Sequence, residues 1–347
     1  MNVAVTGLNA VDTPGPGVPV VRCLKESPDF KGNVVGLAYD ALEPGILDSN
    51  LLSSAYLLPY PSVGPQSLLE RIRFIHERER VDAIIPTLDA ELLNFIQIQK
   101  ELSALNIHLL LPTEESLLRR SKTNLPKFAK EFGFKTPKTS LVTDPYKLNI
   151  SEKDLPIFVK GIFYEAYLAY SMDDVSRYVQ KISARWGYPV LLQEYIEGEE
   201  FNSATVGHEG NALGIVCMKK LVLTDKGKGW ACVTIKNDGL ISLTQKIIAS
   251  LKWRGPIEVE VILSKKDHQF YLIELNPRFP AWIYLAKAAQ INLPLISLQL
   301  ALGEKWNDTS DYKTGVVFSN YTTNLITDLT RIQTLFTTGE IHYEKAL

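Results

Sequence analysis

Residues 271–282 read YLIELNPRFPAW and place Glu274, Asn276 and Arg278 at every second position. Residues two apart on a strand share a face, so the acid and the amide point the same way. The cation follows just past the strand end, after Pro277. Upstream, residues 255–264 (GPIEVEVILS) carry Glu258 and Glu260 on one face, and only a short polar turn, KKDH, separates the two runs. They read as a hairpin. A register that sets Glu260 beside Glu274 opposes like charges, which destabilises a sheet. A divalent cation reverses that sign, and oxygen-only donors suit magnesium held by one or two carboxylates plus substrate phosphates. Glu260, Glu274 and Asn276 are therefore the expected metal ligands, whereas Glu258 alone reads as an ordinary glutamate on a solvated sheet face.

Two lysines and a hinge extend the pattern. Lys160 ends the apolar run PIFVK, and Lys122 stands in SKTN just before a helix. Either one alone reads as a snorkelling surface residue; a pair flanking a small unit would suit phosphates. The stretch LLQEYIEGEEF, residues 191–201, turns at Gly198 and packs Glu194, Glu197, Glu199 and Glu200 into seven residues. It reads either as a charged hinge or as a nucleotide clamp, with strand backbone against an adenine edge and one acid accepting from ribose hydroxyls.

The bulk properties narrow the class. A chain of 347 residues exceeds one ordinary core. Its composition, 46% hydrophobic and 22% charged, is that of a globular protein. A formal charge of −2 argues against a nucleic-acid binder. Neither a basic leader nor an 18-residue apolar run is present, so no membrane association and a cytoplasmic location are expected. Cys23, Cys217 and Cys232 form no Cys-x-x-Cys pair and read as reduced, buried thiols. The five histidines lack metal-ligand spacing, which argues against zinc.

Three parts must position these residues. Residues 1–112 alternate strand and helix, with apolar runs NVAVTG, NVVGLAYD, VDAIIPT and IHLLLPT, and predict a doubly wound parallel sheet. The loop TPGPGVP after the first run reads as a stiff turn rather than a dinucleotide site, since a third glycine is missing. Residues 113–195 predict a helix from Asn124 to Gly133, a short strand ending at Lys160, a helix capped by Ser171 and a strand VLLQEYI, together a small αβ unit. Residues 196–347 read as mostly antiparallel, with a hairpin-type turn at Asn237-Asp238-Gly239, a helix from Leu243 to Trp253, and a last strand followed by a tail.

In this order the pieces resemble the ATP-grasp superfamily, in particular its carbamoyl-phosphate-synthetase-like and carboxylate–amine ligase members. LIELNPRF is similar to the family's Glu-x-Asn-Pro-Arg strand end, and LLQEYIEGEEF resembles its hinge. The resemblance implies an α/β and α+β architecture: an N-terminal doubly wound domain, a small lid and a larger antiparallel domain. It implies ATP and one or two Mg2+ ions as cofactors. Lys122 and Lys160 would hold phosphates. Gln193, Glu194, Tyr195 and Ile196 would line the adenine pocket, and Glu200 would bind ribose. Glu260, Glu274 and Asn276 would hold the metal, and Arg278, with Lys160, would act at the transferring phosphoryl group. Lys219 or Lys220 would add a phosphate contact, with the choice between them open.

The implied activity is an ATP-dependent ligase that phosphorylates a carboxylate and couples the acyl-phosphate to an amine of an amino acid or peptide, releasing ADP and phosphate. A bicarbonate-activating enzyme and a nucleotide-binding regulator without turnover are the alternatives. A small-molecule or peptide substrate and a homodimer fit the resemblance, with Asp89 and Glu91 as acceptor contacts. Two stretches depart from the family pattern. KGIFYEAYLAYS replaces a glycine-rich phosphate loop, so Tyr164, Glu165 and Tyr167 are expected to form a different lid surface or to weaken the phosphate grip. FPAWIYLA is bulkier than the small-residue turn expected after Arg278.

Overall fold

The computed structural model describes residues 1–11, 13–162, 165–224, 227–306, 311–322 and 324–343. The first sheet has the order Glu340–His342, Ser54–Leu57, Asn33–Ala38, Asn2–Val5, Ala83–Ile85, and it is parallel except at its Glu340–His342 edge. Alternation along Asn2–Val5 sends Val3 and Val5 into one apolar core and Ala4 into another, as a sheet covered on both faces requires. Helix Pro65–Glu79 covers one face with Leu68, Leu69, Ile72 and Ile75. The run IHLLLPT, expected as a fourth strand, makes only a single bridge from His108 to Ala83. Its leucines are buried without extending the ladder.

The turn at residues 13–19 is packed tightly against the first strand. The Gly17 N–H donates to the Gly7 carbonyl at 2.9 Å, and a Cβ on Gly17 would come within 2.1 Å of the Thr6 carbonyl oxygen. Only glycine permits that approach, and helix Gly17–Lys25 starts there.

The small unit is a four-stranded antiparallel sheet in the order Thr139–Val142, Val190–Glu194, Ile157–Lys160, Ala166–Ala169. Helix Met172–Trp186 seals it with Val175, Val179 and Ile182. Ser171 caps that helix by accepting from the Asp174 N–H at 3.1 Å. Helix Leu125–Phe132 precedes the unit, carries Pro126 in its first turn and ends at Gly133 with φ of 72°.

The large sheet is antiparallel in the order Phe270–Asn276, Gly255–Ser264, Gly198–His208, Asn211–Leu223, Gly229–Ile235, Val317–Ser319. The Asn237-Asp238-Gly239 stretch is not a hairpin turn. Asn237 is instead the cap of helix Asp238–Leu251, accepting from the Leu240 N–H at 2.9 Å. Asparagine favours both roles, and here the cap prevails. Helices Ile283–Ala288 and Leu293–Ala301 follow the Arg278 turn. The expected tail is helix Leu329–Thr338 and strand Glu340–His342, and the strand pairs with Ser54–Leu57 in the first sheet rather than joining the large one.

Candidate active site

The hairpin register brings the acids together. Strands Gly255–Ser264 and Phe270–Asn276 pair with Glu258 opposite Asn276 and Glu260 opposite Glu274. A bulge between Glu260 and Val261 accompanies the like-charge pair. Cations offset the repulsion: Lys122 lies 3.2 Å from Glu274, and Lys220 lies 3.3 Å from Glu260 and 2.7 Å from Glu200. The Asn276 side-chain N–H group donates to Glu260 at 2.7 Å and to Glu258 at 3.0 Å.

Glu258 is not the solvated glutamate expected from the sequence. It is buried, and it accepts from the Asn202 amide at 2.7 Å and the Trp282 indole N–H at 2.6 Å. Burial, reinforced by the Glu260 charge, pushes its pKa up to about 7 against the pull of Arg278 and its hydrogen bonds. For Glu260 burial also opposes ionisation, but Lys220 and Arg278 outweigh it and the pKa falls. Lys220 shows the converse. Burial disfavours its charge, yet Glu260 and Glu200 raise its pKa. The two lysines differ in their partners: Lys220 faces Glu200 and Glu260, and Lys219 pairs with Glu199 at 2.7 Å.

Arg278 is anchored beyond the strand end. It lies 2.9 Å from Asp89 and 3.8 Å from Glu258, and donates to the Phe279 carbonyl at 3.2 Å. Burial lowers its pKa, but Asp89, Glu258 and Glu274 raise it by more. Asp89 also meets Arg120 at 3.3 Å, so the first sheet's edge loop is clamped to the Arg278 turn. Sequence reasoning missed Arg120; its place next to Ser121 and Lys122 was the only available signal. Glu91, expected as an acceptor contact, is fully buried. It accepts from Thr6, Tyr39 and the Thr87 and Leu88 amides, which makes it an internal brace of that loop.

On the small unit, Lys160 donates to the Gln193 carbonyl oxygen at 2.6 Å, and its ammonium lies 5.1 Å from the centre of the Phe158 ring. Burial lowers its pKa despite the carboxylates of Glu274, Glu260 and Glu200 nearby. Gln193 also donates to the Thr139 hydroxyl at 3.2 Å. Lys122, Lys160, Gln193 and Glu274 line one cleft, with Leu191 and Leu272 as apolar wall. Glu194 is tied at the hinge to Lys138. The Glu194 carboxylate accepts from the Lys138 N–H at 3.0 Å, and its own N–H donates to the Lys138 carbonyl at 2.8 Å. Tyr195 leans on Phe158 with ring centres 5.9 Å apart, and Ile196 is half-buried.

The atypical loop is tied to the small unit's own helix. Glu165 pairs with Arg185 at 2.7 Å, and Tyr167 stacks on Tyr178 with centres 4.8 Å apart. Both are thus held against helix Met172–Trp186, and Tyr164 lies outside the described residues.

The donor set fits a magnesium-bound triphosphate. The Lys160 ammonium has three donors, and Gln193 takes one of them. The Asn202 side-chain oxygen, on the residue paired with Glu260, is buried without a partner, as is Nε of Arg120. Among the described residues no three His, Cys, Asp or Glu side chains gather as a complete metal cage. Two carboxylates and an amide need phosphate oxygens to finish a magnesium sphere.

Known proteins share parts of this sequence and this fold. A family described as ATP-grasp in the biosynthetic pathway with Ter operon matches residues 188–324, which span the hinge, the acidic hairpin and the Arg278 turn. The L-amino acid ligase from Bacillus licheniformis superposes with a TM-score of 0.66 at 18% identity, covering 87% of this chain and 74% of that one. The chain has an ATP-grasp fold. Biotin carboxylase from Campylobacter jejuni, solved with a β,γ-ATP complex, superposes with a TM-score of 0.69 at 14% identity over 90% of this chain and 73% of its own. In sequence, the chain is 24% identical over 228 residues to carbamoyl-phosphate synthase of Methanobrevibacter smithii, 60% of each chain. It is 23% identical over 298 residues to the carbamoyl phosphate synthase large chain of Pyrococcus furiosus, 79% of this chain but 28% of that one. The chain therefore spans less than two thirds of the curated relatives it matches. Among the described residues no helix is long and apolar enough to cross a membrane.

Proposed function

We propose that this ATP-grasp protein is an ATP-dependent carboxylate–amine ligase acting on an amino acid or peptide. The observation that carries the reading is the Glu260–Glu274 pair, set side by side on a hairpin with Asn276 and ringed by Lys122, Lys160, Lys220 and Arg278. Like charges held this close with so many cations around them are matched to a ligand carrying both metal and phosphate.

ATP would lie in the cleft between the small unit and the large sheet. Lys122 and Lys160 would take phosphate oxygens, residues 193–196 would border the base, and Glu200 would meet the ribose. Magnesium, held by Glu260, Glu274 and Asn276, would neutralise phosphate charge. The substrate carboxylate attacks the terminal phosphorus, the bond to the bridging oxygen of ADP breaks, and an acyl-phosphate forms. The amine nitrogen then attacks the acyl carbon, phosphate leaves with the bonding pair, and the nitrogen releases its proton. Arg278 would offset the charge that develops in the first step, since phosphoryl transfer depends on positioning and electrostatics. The small unit would keep water from the intermediate.

The sequence relatives named carbamoyl-phosphate synthases support a second reading, in which bicarbonate is the activated carboxylate. Calorimetric titration with a non-hydrolysable ATP analogue, with and without magnesium, tests both. Magnesium-dependent binding that Glu274→Ala weakens supports the site, and ADP release with amino acids or with bicarbonate then separates the readings. No binding by the wild type overturns both.

A further inference from the structure

We infer that Glu258, with Trp282 and Asn202, is a positioning residue that fixes which face of the Asn276 amide meets the metal and phosphates. The inference rests on the ATP-ligase reading and adds to it a group that reaches the ligand only through another residue.

The geometry is a closed set of donors around one carboxylate. One oxygen of Glu258 accepts from the Asn202 amide at 2.7 Å and from the Trp282 indole at 2.6 Å. The other accepts from the Asn276 side-chain nitrogen at 3.0 Å. That nitrogen also donates to Glu260 at 2.7 Å. With its N–H groups directed at two carboxylates, Asn276 turns its oxygen away from them. An asparagine can present either oxygen or nitrogen to a ligand with little change in shape, and only the oxygen can bind a cation. Glu258 and Glu260 together remove the choice, and of the two Glu258 is the one that is not itself an expected metal ligand. It also stands 3.8 Å from Arg278, so a single buried carboxylate orients the amide and lies against the cation that follows it.

This explains the bulky FPAW stretch. Trp282 is 8% exposed, and its indole N–H ends on Glu258 rather than in water. A smaller residue there would leave one lone-pair direction of a buried carboxylate unmet. Asn202 comes from a third strand, Gly198–His208, and completes the same shell.

Glu258→Gln is the discriminating substitution. Glutamine has one oxygen, but the site offers donors to both carboxylate oxygens, so one donor must face another whichever way the amide turns. The milder conflict falls at Asn276, where only one donor is affected; its amide must then either rotate, which sets its oxygen against the Glu260 carboxylate, or give up its bond to residue 258, and either way the placement of its oxygen is disturbed. The experiment measures the magnesium concentration for half-maximal binding of a non-hydrolysable ATP analogue, beside binding of the same analogue without magnesium and the melting temperature. We expect the magnesium midpoint of Glu258→Gln to rise about tenfold or more, the usual scale for partners of metal ligands. Magnesium-free binding should change less than about twofold, a split that general loosening of the fold would not produce. An unchanged magnesium midpoint in folded Glu258→Gln, while Glu274→Ala abolishes magnesium dependence, overturns this inference and leaves the ligase reading intact. Absence of magnesium-dependent binding in the wild type overturns both. If Glu258→Gln does not fold, Trp282→Phe removes one donor and carries the test: a midpoint raised about threefold supports the role, and no change overturns it.

Discussion

Lys219 and Lys220 are neighbours in sequence and lie on opposite faces of one strand. Lys220 reaches Glu200 and Glu260, and Lys219 meets Glu199 on the other side. The two lysines should therefore respond differently to removal. Lys220→Ala leaves two acids without their cation and is expected to cost about 2 kcal/mol, less than for a fully buried pair because Glu200 is partly exposed. Lys219→Ala is expected to cost no more than about 0.5 kcal/mol. Urea unfolding of the two variants checks the contrast; equal costs would contradict it.

Lys160 is held with its charge disfavoured by burial. A ligand anion would offset that penalty, which the fold otherwise bears. Lys160→Met is therefore expected to melt no lower than the wild type. It should bind a non-hydrolysable ATP analogue at least about tenfold more weakly, a loss of about 1.4 kcal/mol. Thermal melting and calorimetry on the same preparation read both effects, and a variant that loses stability while keeping its nucleotide affinity would refute the phosphate role.

Stability should depend on pH through buried acids. Burial pushes Glu43 up to about 7 from 4.5. One of its oxygens accepts from the Tyr39 N–H at 2.8 Å, and the other is buried without a partner. The folded state thus holds a proton that the unfolded state has released. Its contribution is complete below about pH 4.5 and is lost as pH rises through about 7. Glu258 acts in the same direction, while Glu260, with its lowered pKa, acts in the other. Glu43→Gln should gain on the wild type by about 2–3 kcal/mol between pH 4.5 and 8. Denaturant titrations at several pH values would show this as a flatter profile; a parallel profile would exclude Glu43 as a source.

Ile341 is 7% exposed and sits on the strand that closes the first sheet. Ile341→Ala should cost about 2–3 kcal/mol, from lost burial and the cavity left behind. Hydrogen exchange of strand Ser54–Leu57 should accelerate with it, because the two strands share their ladder. Exchange unaltered there would mean that the edge is held by something else.

Much of the site was legible because strand periodicity is rigid. Alternation and a short polar turn suffice to read the hairpin, but its turn-side register alone would set Glu260 opposite Ile273; the bulge between Glu260 and Val261, which no pattern announces, brings Glu260 opposite Glu274. The environment of Glu258 was not legible. Parity places it on the face of Glu260, but its partners Asn202 and Trp282 come from elements far along the chain. The choice between Lys219 and Lys220 was hidden by the register shift just after Lys220, which obscures simple counting. Asn237 misled because a turn and a helix cap draw on the same side chain. The strand Glu340–His342 left no readable signal, since three residues without a nearby partner carry no periodicity.

That late strand has a consequence for how the protein is made. Ser54–Leu57 is synthesised well before its outer neighbour: that edge is met only when residues 340–342 appear, after the small unit and the large sheet have been made. Until then the first sheet presents an open row of backbone donors and acceptors, the kind of edge on which nascent chains associate. Dependence on a chaperone during synthesis should therefore be concentrated in the first sheet rather than in the small unit or the large sheet, and it should end when strand Glu340–His342 docks.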